Sequence, residues 1–166
     1  CLPCPLHDID LVPADDPAPE FDGFWERRQV RHLSLPPGMQ RLSADLNALY
    51  RDCPALHTQD FESCGFAWID CHDSAHSILS WLRWGRDGSF LVVAVNFTPE
   101  PKTGYRIGVP QAGRYAEILN SDSAYYGGSN LGNGGALDAH VGEWMNCPAN
   151  LEITLPPLGA VVLQRR

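Results

Sequence analysis

The chain has 166 residues, which is room for one domain with a short appendage and too few for a complete (β/α)8 barrel of roughly 250 residues. Its 20 acidic and 12 basic residues give a formal net charge of −8. Because nucleic-acid phosphates are bound by clustered Lys and Arg, an acidic chain without a basic run is not expected to bind nucleic acid. No apolar run approaches the ~18 residues of a membrane-spanning helix, so no membrane contact is expected.

The first 37 residues differ in composition from the remainder. They hold seven of the 14 prolines, and a residue that precedes a proline is disfavoured in a helix. Residues 1–37 are therefore predicted to be irregular or disordered, although the apolar cluster of Phe21, Phe24 and Trp25 could dock on another surface. No Lys or Arg precedes Arg27, so no signal peptide is expected, and the lack of an initial Met suggests a fragment or a processed product.

Cysteine usage bears on the compartment and on metal binding. The chain has six cysteines, namely Cys1, Cys4, Cys53, Cys64, Cys71 and Cys147. Without an export signal we expect them to be free thiols in a reducing cytoplasm. Cys1 and Cys4 have the spacing of half a zinc site, but no second pair follows at finger spacing. Neither a metal nor another cofactor is therefore predicted.

An amphipathic helix is predicted from Gly38 to the residue before Pro54. Apolar residues recur there at helical spacing and form one stripe, which consists of Met39, Leu42, Leu46, Leu49, Tyr50 and Cys53. Polar residues occupy the opposite face, and Pro54 ends the helix.

The remainder of the chain is typical of β-structure. Apolar runs separated by Gly and Pro predict about seven strands, at 66–70, 77–84, 89–97, 105–109, 114–119, 151–155 and 160–163. This spacing favours an antiparallel β-sandwich over βαβ units. The continuous apolar run at 89–97 indicates a central strand buried on both faces. Trp81 and Trp84 are expected on opposite faces of their strand, and which tryptophan is exposed stays open.

A glycine-rich segment at 120–135 joins two of these strands, and a connection of this length is typically functional or mobile. It has no phosphate-binding glycine motif, and its serines lie in no Gly-x-Ser-x-Gly turn. Its amide, carboxylate and aromatic side chains are of the kinds that hold sugars, which gives six candidates for carbohydrate contact: Asn120, Asp122, Tyr125, Tyr126, Asn130 and Asn133. The alternative is that the tyrosines pack the loop onto its own domain or onto a neighbour.

A second polar group lies between the first two predicted strands. His72 and Asp73, with His76 nearby, have the composition of a general base with an orienting carboxylate. A polar turn between the two strands is the favoured interpretation.

Many short blocks of sequence follow one another in order between Gly38 and Leu163. They include Ala44-Asp-Leu-Asn-Ala-Leu-Tyr-Arg, Gly65-Phe-Ala-Trp-Ile-Asp, Asn96-Phe-Thr-Pro, Leu119-Asn-Ser-Asp-Ser-Ala-Tyr-Tyr-Gly-Gly-Ser-Asn and Leu155-Pro-Pro-Leu. Read together, these blocks resemble the C-terminal region of bacterial 1,4-α-glucan (glycogen) branching enzymes of the α-amylase superfamily. The resemblance covers most of the chain.

The resemblance implies a fold and an activity. Members of that enzyme family join a central (β/α)8 barrel to a C-terminal all-β domain. Residues 38–58 would then be the last barrel helix with its linker, and residues 59–166 would be the β-domain. They cleave an α-1,4 bond of a glucan and rebuild it as an α-1,6 branch, using an aspartate nucleophile, a glutamate acid–base and a second aspartate, without a metal. These acids lie on earlier barrel strands, so no catalytic residue and no activity are expected in this chain alone.

The same resemblance implies partners and leaves alternatives. The partners would be α-1,4-glucan and the catalytic barrel, which the β-domain would stabilise. With glucan as the ligand, Asn120, Asp122, Tyr125 and Tyr126 are the candidate glucan-contacting residues. The runner-up is a stand-alone, non-catalytic glucan-binding module, and a third possibility is the tail of a related debranching enzyme.

Two further expectations concern residues 1–37 and the apolar stripe of the predicted helix. Residues 1–37 lack the Glu-Trp and Ser-Leu-Asp-Trp segments that precede the last helix in the family, which suggests a frameshift or a truncated gene. The helical stripe is expected to pack on barrel strands, or else to fold back on the sandwich or drive self-association.

Overall fold

The computed structural model describes residues 36–166. They contain one α-helix and eight β-strands, which are α1 (Pro37–Asp52), β1 (Phe66–Asp70), β2 (Ile78–Trp84), β3 (Phe90–Asn96), β4 (Lys102–Val109), β5 (Gly113–Asn120), β6 (Ala136–Trp144), β7 (Cys147–Leu155) and β8 (Gly159–Arg165). The prediction of irregular or disordered structure at 1–37 concerns residues that, up to residue 35, lie outside the described part of the chain. The expectations for the half zinc site of Cys1 and Cys4 and for the cluster of Phe21, Phe24 and Trp25 lie outside it as well.

Helix α1 begins and ends close to its predicted bounds. Pro37 occupies the first turn, where its missing N–H removes a donor that would have no helical partner. At the other end, the Cys53 N–H donates to the Leu49 carbonyl oxygen. Cys53 itself is extended and leads into Pro54, which cannot continue the helix.

The predicted apolar stripe of α1 divides between two directions. Leu42 and Leu49 are partly buried against the sheet. Met39 and Leu46 remain 48% and 45% exposed, and Tyr50 is exposed beside them. The helix therefore folds back on the sheet, while Met39, Leu46 and Tyr50 form an exposed helix stripe.

All eight strands belong to one sheet, in the order β1-β2-β3-β8-β5-β6-β7-β4. Every neighbouring pair is antiparallel. The predicted class is confirmed, since the domain is mainly antiparallel β with one preceding helix. The predicted two-sheet sandwich is replaced by a single sheet that curls around its own apolar face.

Strand β6 explains this difference. Residues 136–139 pair with β5, whereas His140 and Val141 pair with β7, and the pairing is irregular between Val141 and Trp144. A strand that passes from one partner to the next in this way turns a corner and keeps the two halves hydrogen-bonded. The sequence pattern missed β6 because Ala139 is its only buried residue.

The sheet has apolar residues on both faces. The inner core is enclosed by the curl and takes residues from all eight strands, among them Ile78, Val92, Ile107, Tyr115, Leu151 and Val161. The outer apolar layer lies under α1 and consists of Ala55, Leu91, Val93, Leu119 and Val162. Strand β3 contributes alternately to the two, which confirms that its continuous apolar run is a strand buried on both faces.

The tryptophans of β1 and β2 follow the same alternation. Trp84 packs against the inner core and Trp81 against the outer layer, as expected from their spacing. Both are partly buried. Trp68, on the edge strand β1, is 52% exposed and is the tryptophan of this group that faces solvent.

A hydrogen bond joins the two edges of the curled sheet. Tyr105 on β4 donates its hydroxyl to Asp73 Oδ2 over 2.7 Å, and Asp73 lies in the turn that follows β1. The other carboxylate oxygen of Asp73 lies 2.8 Å from His76 Nδ1. Burial alone would raise the pKa of Asp73, but the hydrogen bonds from Tyr105 and His76 outweigh it and hold the pKa below its ordinary value.

This contact predicts a pH dependence of stability. Because the pKa of Asp73 is lowered in the fold, its carboxylate stabilises the native state above the unfolded pKa of about 3.9. That contribution is lost as the pH falls through the folded pKa. Tyr105→Phe removes one donor, so the variant should lose less unfolding free energy than the parent between about pH 6 and pH 3 in urea titrations.

The control for this measurement is Tyr125→Phe, which removes a hydroxyl from an exposed ring. Its unfolding free energy should follow the parent across the same pH range. Equal acid sensitivity of Tyr105→Phe and the parent would contradict the role given to Asp73.

Candidate functional site

The glycine-rich loop is built around Asn120, the last residue of β5. Its Nδ2 donates to the Leu131 carbonyl oxygen over 2.8 Å, and its Oδ1 accepts from the Asp122 N–H over 2.9 Å. One side chain thus ties together the two ends of the loop. The Asn120 amide is thus used within the loop, apart from one longer bond of 3.3 Å from its Nδ2 to Glu117 Oε1 on β5.

Asp122 closes the loop from within. Its carboxylate accepts from the Ser129 N–H at 3.0 Å, the Ser129 hydroxyl at 2.5 Å and the Leu131 N–H at 3.1 Å. Burial would raise the pKa of Asp122, but the hydrogen bonds from Ser129 and Leu131 outweigh it and lower the pKa. The Asp122 carboxylate is therefore charged, and its hydrogen-bond donors all belong to the same loop.

Two tyrosines join the loop to helix α1. Tyr126 donates its hydroxyl to Asp45 Oδ2 over 2.7 Å, and burial together with this bond raises the pKa of Tyr126 to about 12. Arg41 donates to the Tyr125 carbonyl oxygen over 3.1 Å and places its guanidinium 5.0 Å from the Tyr125 ring centre. The Tyr125 ring stays 58% exposed.

The backbones of the loop and the helix also approach closely. A Cβ built on Gly38 would lie 1.8 Å from the Tyr126 carbonyl oxygen, so only glycine fits at this point of α1. The loop and the first half of the helix therefore form one packed unit.

The structure brings the predicted carbohydrate-contacting residues together in this loop, but most of their polar groups face inward. Asn133 donates to Glu117 and to the Thr154 carbonyl oxygen, and its Oδ1 accepts from the Thr154 N–H. Like Asn120, Asp122 and Tyr126, it holds the loop in place. Glucan contact by these residues stays a prediction, and packing of the tyrosines onto the domain accounts for the contacts of Tyr126.

A polar cleft of about 420 Å³ opens between the end of β5 and the glycine-rich loop. Its walls include Glu117, Asn120, Ser123, Tyr126, Asn130 and Gly132. Sequence reasoning missed Glu117, because a single acid in an apolar strand is ordinarily a solvated residue. The pairing of β5 with β8 is irregular between Glu117 and Leu119, so Glu117 lies beside a shift in the strand register.

The second polar group of the sequence is a turn. His76, Asp73 and Tyr105 are linked as described above, and the side chain of His72 is 91% exposed. The arrangement fits the favoured interpretation of a polar turn between β1 and β2.

Within residues 36–166, no three His, Cys, Asp or Glu side chains are grouped so that they could hold a metal ion. The four cysteines of this part, Cys53, Cys64, Cys71 and Cys147, are free thiols. No helix of the described part is both long and apolar enough to cross a membrane.

Comparison with known proteins places the chain among relatives. The sequence model of the family described as "Alpha amylase, C-terminal all-beta domain" matches residues 68–166. The 1,4-alpha-glucan branching enzyme GlgB of Dechloromonas aromatica is 75% identical over 126 residues, which are 76% of this chain and 20% of that enzyme. The GlgB enzyme of Methylobacillus flagellatus is 55% identical over 127 residues, which are 76% of this chain and 18% of the enzyme.

The chain thus spans about a fifth of the length of these curated relatives. A crystal structure of alpha-amylase from H. orenii aligns with 92% of this chain and 25% of its own, with a TM-score of 0.47 and 21% sequence identity. The resemblance to the C-terminal region of branching enzymes is confirmed by the first two matches. The chain belongs to the family of proteins that carry the alpha-amylase C-terminal all-beta domain.

Proposed function

We propose that this chain forms the C-terminal part of a 1,4-α-glucan branching enzyme, which makes α-1,6 branches in glycogen by transglycosylation. The observation that carries the proposal is the 75% identity with the Dechloromonas aromatica branching enzyme over 126 residues. Identity of that degree over 126 residues supports the same packing within the domain.

The role of the domain would be to cover and stabilise the catalytic barrel. Helix α1 is already packed on the outer apolar layer through Leu42 and Leu49. Its exposed stripe of Met39, Leu46 and Tyr50 points to a second contact, because burying such side chains gains about 25 cal/mol per Å². A barrel on that side would leave α1 held between two domains.

The chemistry would reside in the barrel. A retaining glycoside transfer needs two carboxyl groups about 5 Å apart on either side of the scissile bond. In the family the nucleophile and the acid–base belong to earlier barrel strands, so the 166-residue chain by itself should form no branches. The proposal also places the chain in the cytoplasm, which is supported by the four free cysteines of the described part.

A hybrid enzyme tests the proposal. The matching 126 residues of the Dechloromonas aromatica enzyme are replaced by those of this chain, and branch formation in amylose is followed. We expect the hybrid to form branches and the isolated chain to form none. A hybrid that folds and does not branch, or branching by the isolated chain, would count against the proposal.

Leu46→Asp then tests the barrel contact in the same two proteins. In the hybrid the aspartate would be buried against the barrel without a partner, which should lower the unfolding free energy by about 3 kcal/mol. In the isolated chain Leu46 is exposed, so the loss should stay near 0.5 kcal/mol or less. Asn47→Asp, on the polar face of α1, is the matched control and should change neither protein by more than this.

The alternative of a stand-alone glucan-binding module is favoured by one observation. Trp68 is half exposed on an edge strand, with the Phe66 ring centre 4.9 Å away and the Trp81 ring centre 6.1 Å away, both edge-on. The half-exposed indole of Trp68 is of a kind on which a glucose ring can stack. Such an indole would bind glucan with or without a catalytic barrel.

Native gels that contain glycogen test this alternative. If Trp68 binds glucan, glycogen should retard the 166-residue chain, and Trp68→Ala should abolish the retardation. Trp144→Ala is the control, because Trp144 is also exposed but its ring is covered by Arg106 at 4.6 Å. Equal mobility of the parent with and without glycogen would exclude the module and leave the supporting role.

A further inference from the structure

We propose that the cleft between β5 and the glycine-rich loop is a binding site for a glucose unit of an α-glucan chain. That the ligand is a neutral, hydroxyl-rich molecule follows from the cleft itself. That this molecule is an α-glucan rests on the proposed function.

The size and shape of the cleft suit a sugar. Its volume of about 420 Å³ falls within the range of small-molecule sites, which is about 300–1,000 Å³. Gly134 and Gly135 line it with φ angles of +66° and +87°, and a Cβ on either would meet no atom within 4 Å. Because side chains are missing there, a ligand can approach the peptide groups directly.

Gly132 sets the depth of the cleft. A Cβ at this position would lie 2.3 Å from Asn120 Nδ2 and 2.9 Å from Glu117 Oε1. The glycine therefore allows the loop to settle onto these two side chains. It brings the carboxylate of Glu117 to the wall of the cleft.

The Oε1 atom of Glu117 is a hydrogen-bond acceptor that receives only one long bond from the protein. Its Oε2 accepts from the Asn133 N–H at 3.0 Å and from Asn133 Nδ2 at 2.5 Å. Its Oε1 receives one long bond of 3.3 Å from Asn120. Since a carboxylate offers about four acceptor positions, Oε1 keeps the capacity to accept from a sugar hydroxyl.

Asn130 supplies the complementary donor. Its Oδ1 accepts from the Ala124 N–H over 3.2 Å, and its backbone lies in the left-handed region with φ of 64°. Among residues 36–166 its Nδ2 has no hydrogen-bond partner, so two donor hydrogens remain at the cleft. A sugar hydroxyl can donate to Glu117 Oε1 and accept from Asn130 Nδ2, so these two side chains suit its two hydrogen-bonding roles.

The charge of the cleft decides against other ligand classes. Glu117 is the single charged side chain among the lining residues, and no Lys or Arg is present to bind a phosphate. One carboxylate without a second acid or a histidine also makes a poor cation site. The Tyr126 ring, fixed by its bond to Asp45, offers an apolar surface beside these polar groups.

Titration of the isotopically labelled 166-residue chain with maltotriose, followed by amide NMR shifts, tests the site. We expect shifts at Asn130, Gly132, Gly134 and Gly135, and no such shifts with the β-linked cellotriose. Maltotriose that moves none of these amides, or cellotriose that moves them equally, would overturn the proposal. The hybrid branching assay is independent of this result, so failure of the cleft and failure of the proposed function are separable.

Two conservative variants sharpen the test. Glu117→Gln retains an oxygen for Asn133 and turns an amide NH2 toward the cleft, while Asn130→Asp retains the acceptor for Ala124 and removes the donor. Each should weaken maltotriose binding about tenfold and still give the dispersed amide spectrum of a folded chain. Glu143→Gln, exposed on β6, is the charge-matched control and should bind as the parent does. Binding by both cleft variants at the parent's affinity, with shifts only around Trp68, would contradict the assignment.

Discussion

The outer apolar layer is the contact that holds helix α1, and with it the glycine-rich loop, on the sheet. Leu91, Val93 and Val162 lie on the face of the sheet that points away from the inner core. Without a cover this face would be a large apolar surface in water. Leu42 and Leu49 of α1 supply part of the cover, and the Tyr126–Asp45 hydrogen bond holds the helix near its middle.

This arrangement assigns the glycine-rich loop two roles. Its inward-facing groups, above all Asn120 and Asp122, fold the loop upon itself and carry the tyrosines to α1. Its glycines keep a cleft open beside Glu117. A loop that is rigid because of its own hydrogen bonds can hold a binding site without a cost for ordering it on binding.

Helix α1 links the domain to its proposed partner. One side of the helix is committed to the sheet and the loop, and the other side presents Met39, Leu46 and Tyr50. A barrel packed on these residues would be coupled to the cleft through Asp45, Tyr126 and the loop. The stabilising role and the sugar site would then belong to one continuous unit.

The elements that follow simple periodicities were predictable from the sequence. Helix α1 has a helical stripe bounded by prolines, and β3 has an uninterrupted apolar run, so both were placed close to their observed bounds. Strand β6 was not predictable, because most of its residues are not buried and it has no clear apolar alternation. Without β6, the single curled sheet was not predictable either. Pairing between strands is decided by contacts distant in sequence, which alternation within one strand does not encode.

The site was predictable only in part, for a related reason. Residue types pointed to the loop and predicted that its side chains contact sugar, but they did not show which polar groups bond within the protein. The Tyr126–Asp45 bond joins residues 81 positions apart, and the contact of Asn133 with Glu117 joins residues 16 positions apart. Glu117 gains its position from these partners, so it could be found only in the folded chain.

Hydrogen exchange of the backbone amides of α1, in the full 166-residue chain, tests most directly whether the helix is part of the β-domain. We expect the amides of α1 near Leu49 to be protected along with those of β3. Tyr126→Phe should speed exchange in α1 and the loop about threefold to tenfold and leave β3 unchanged, while Tyr125→Phe should change neither. Rapid exchange throughout α1 beside a protected β3 would contradict the packing of the helix on the sheet.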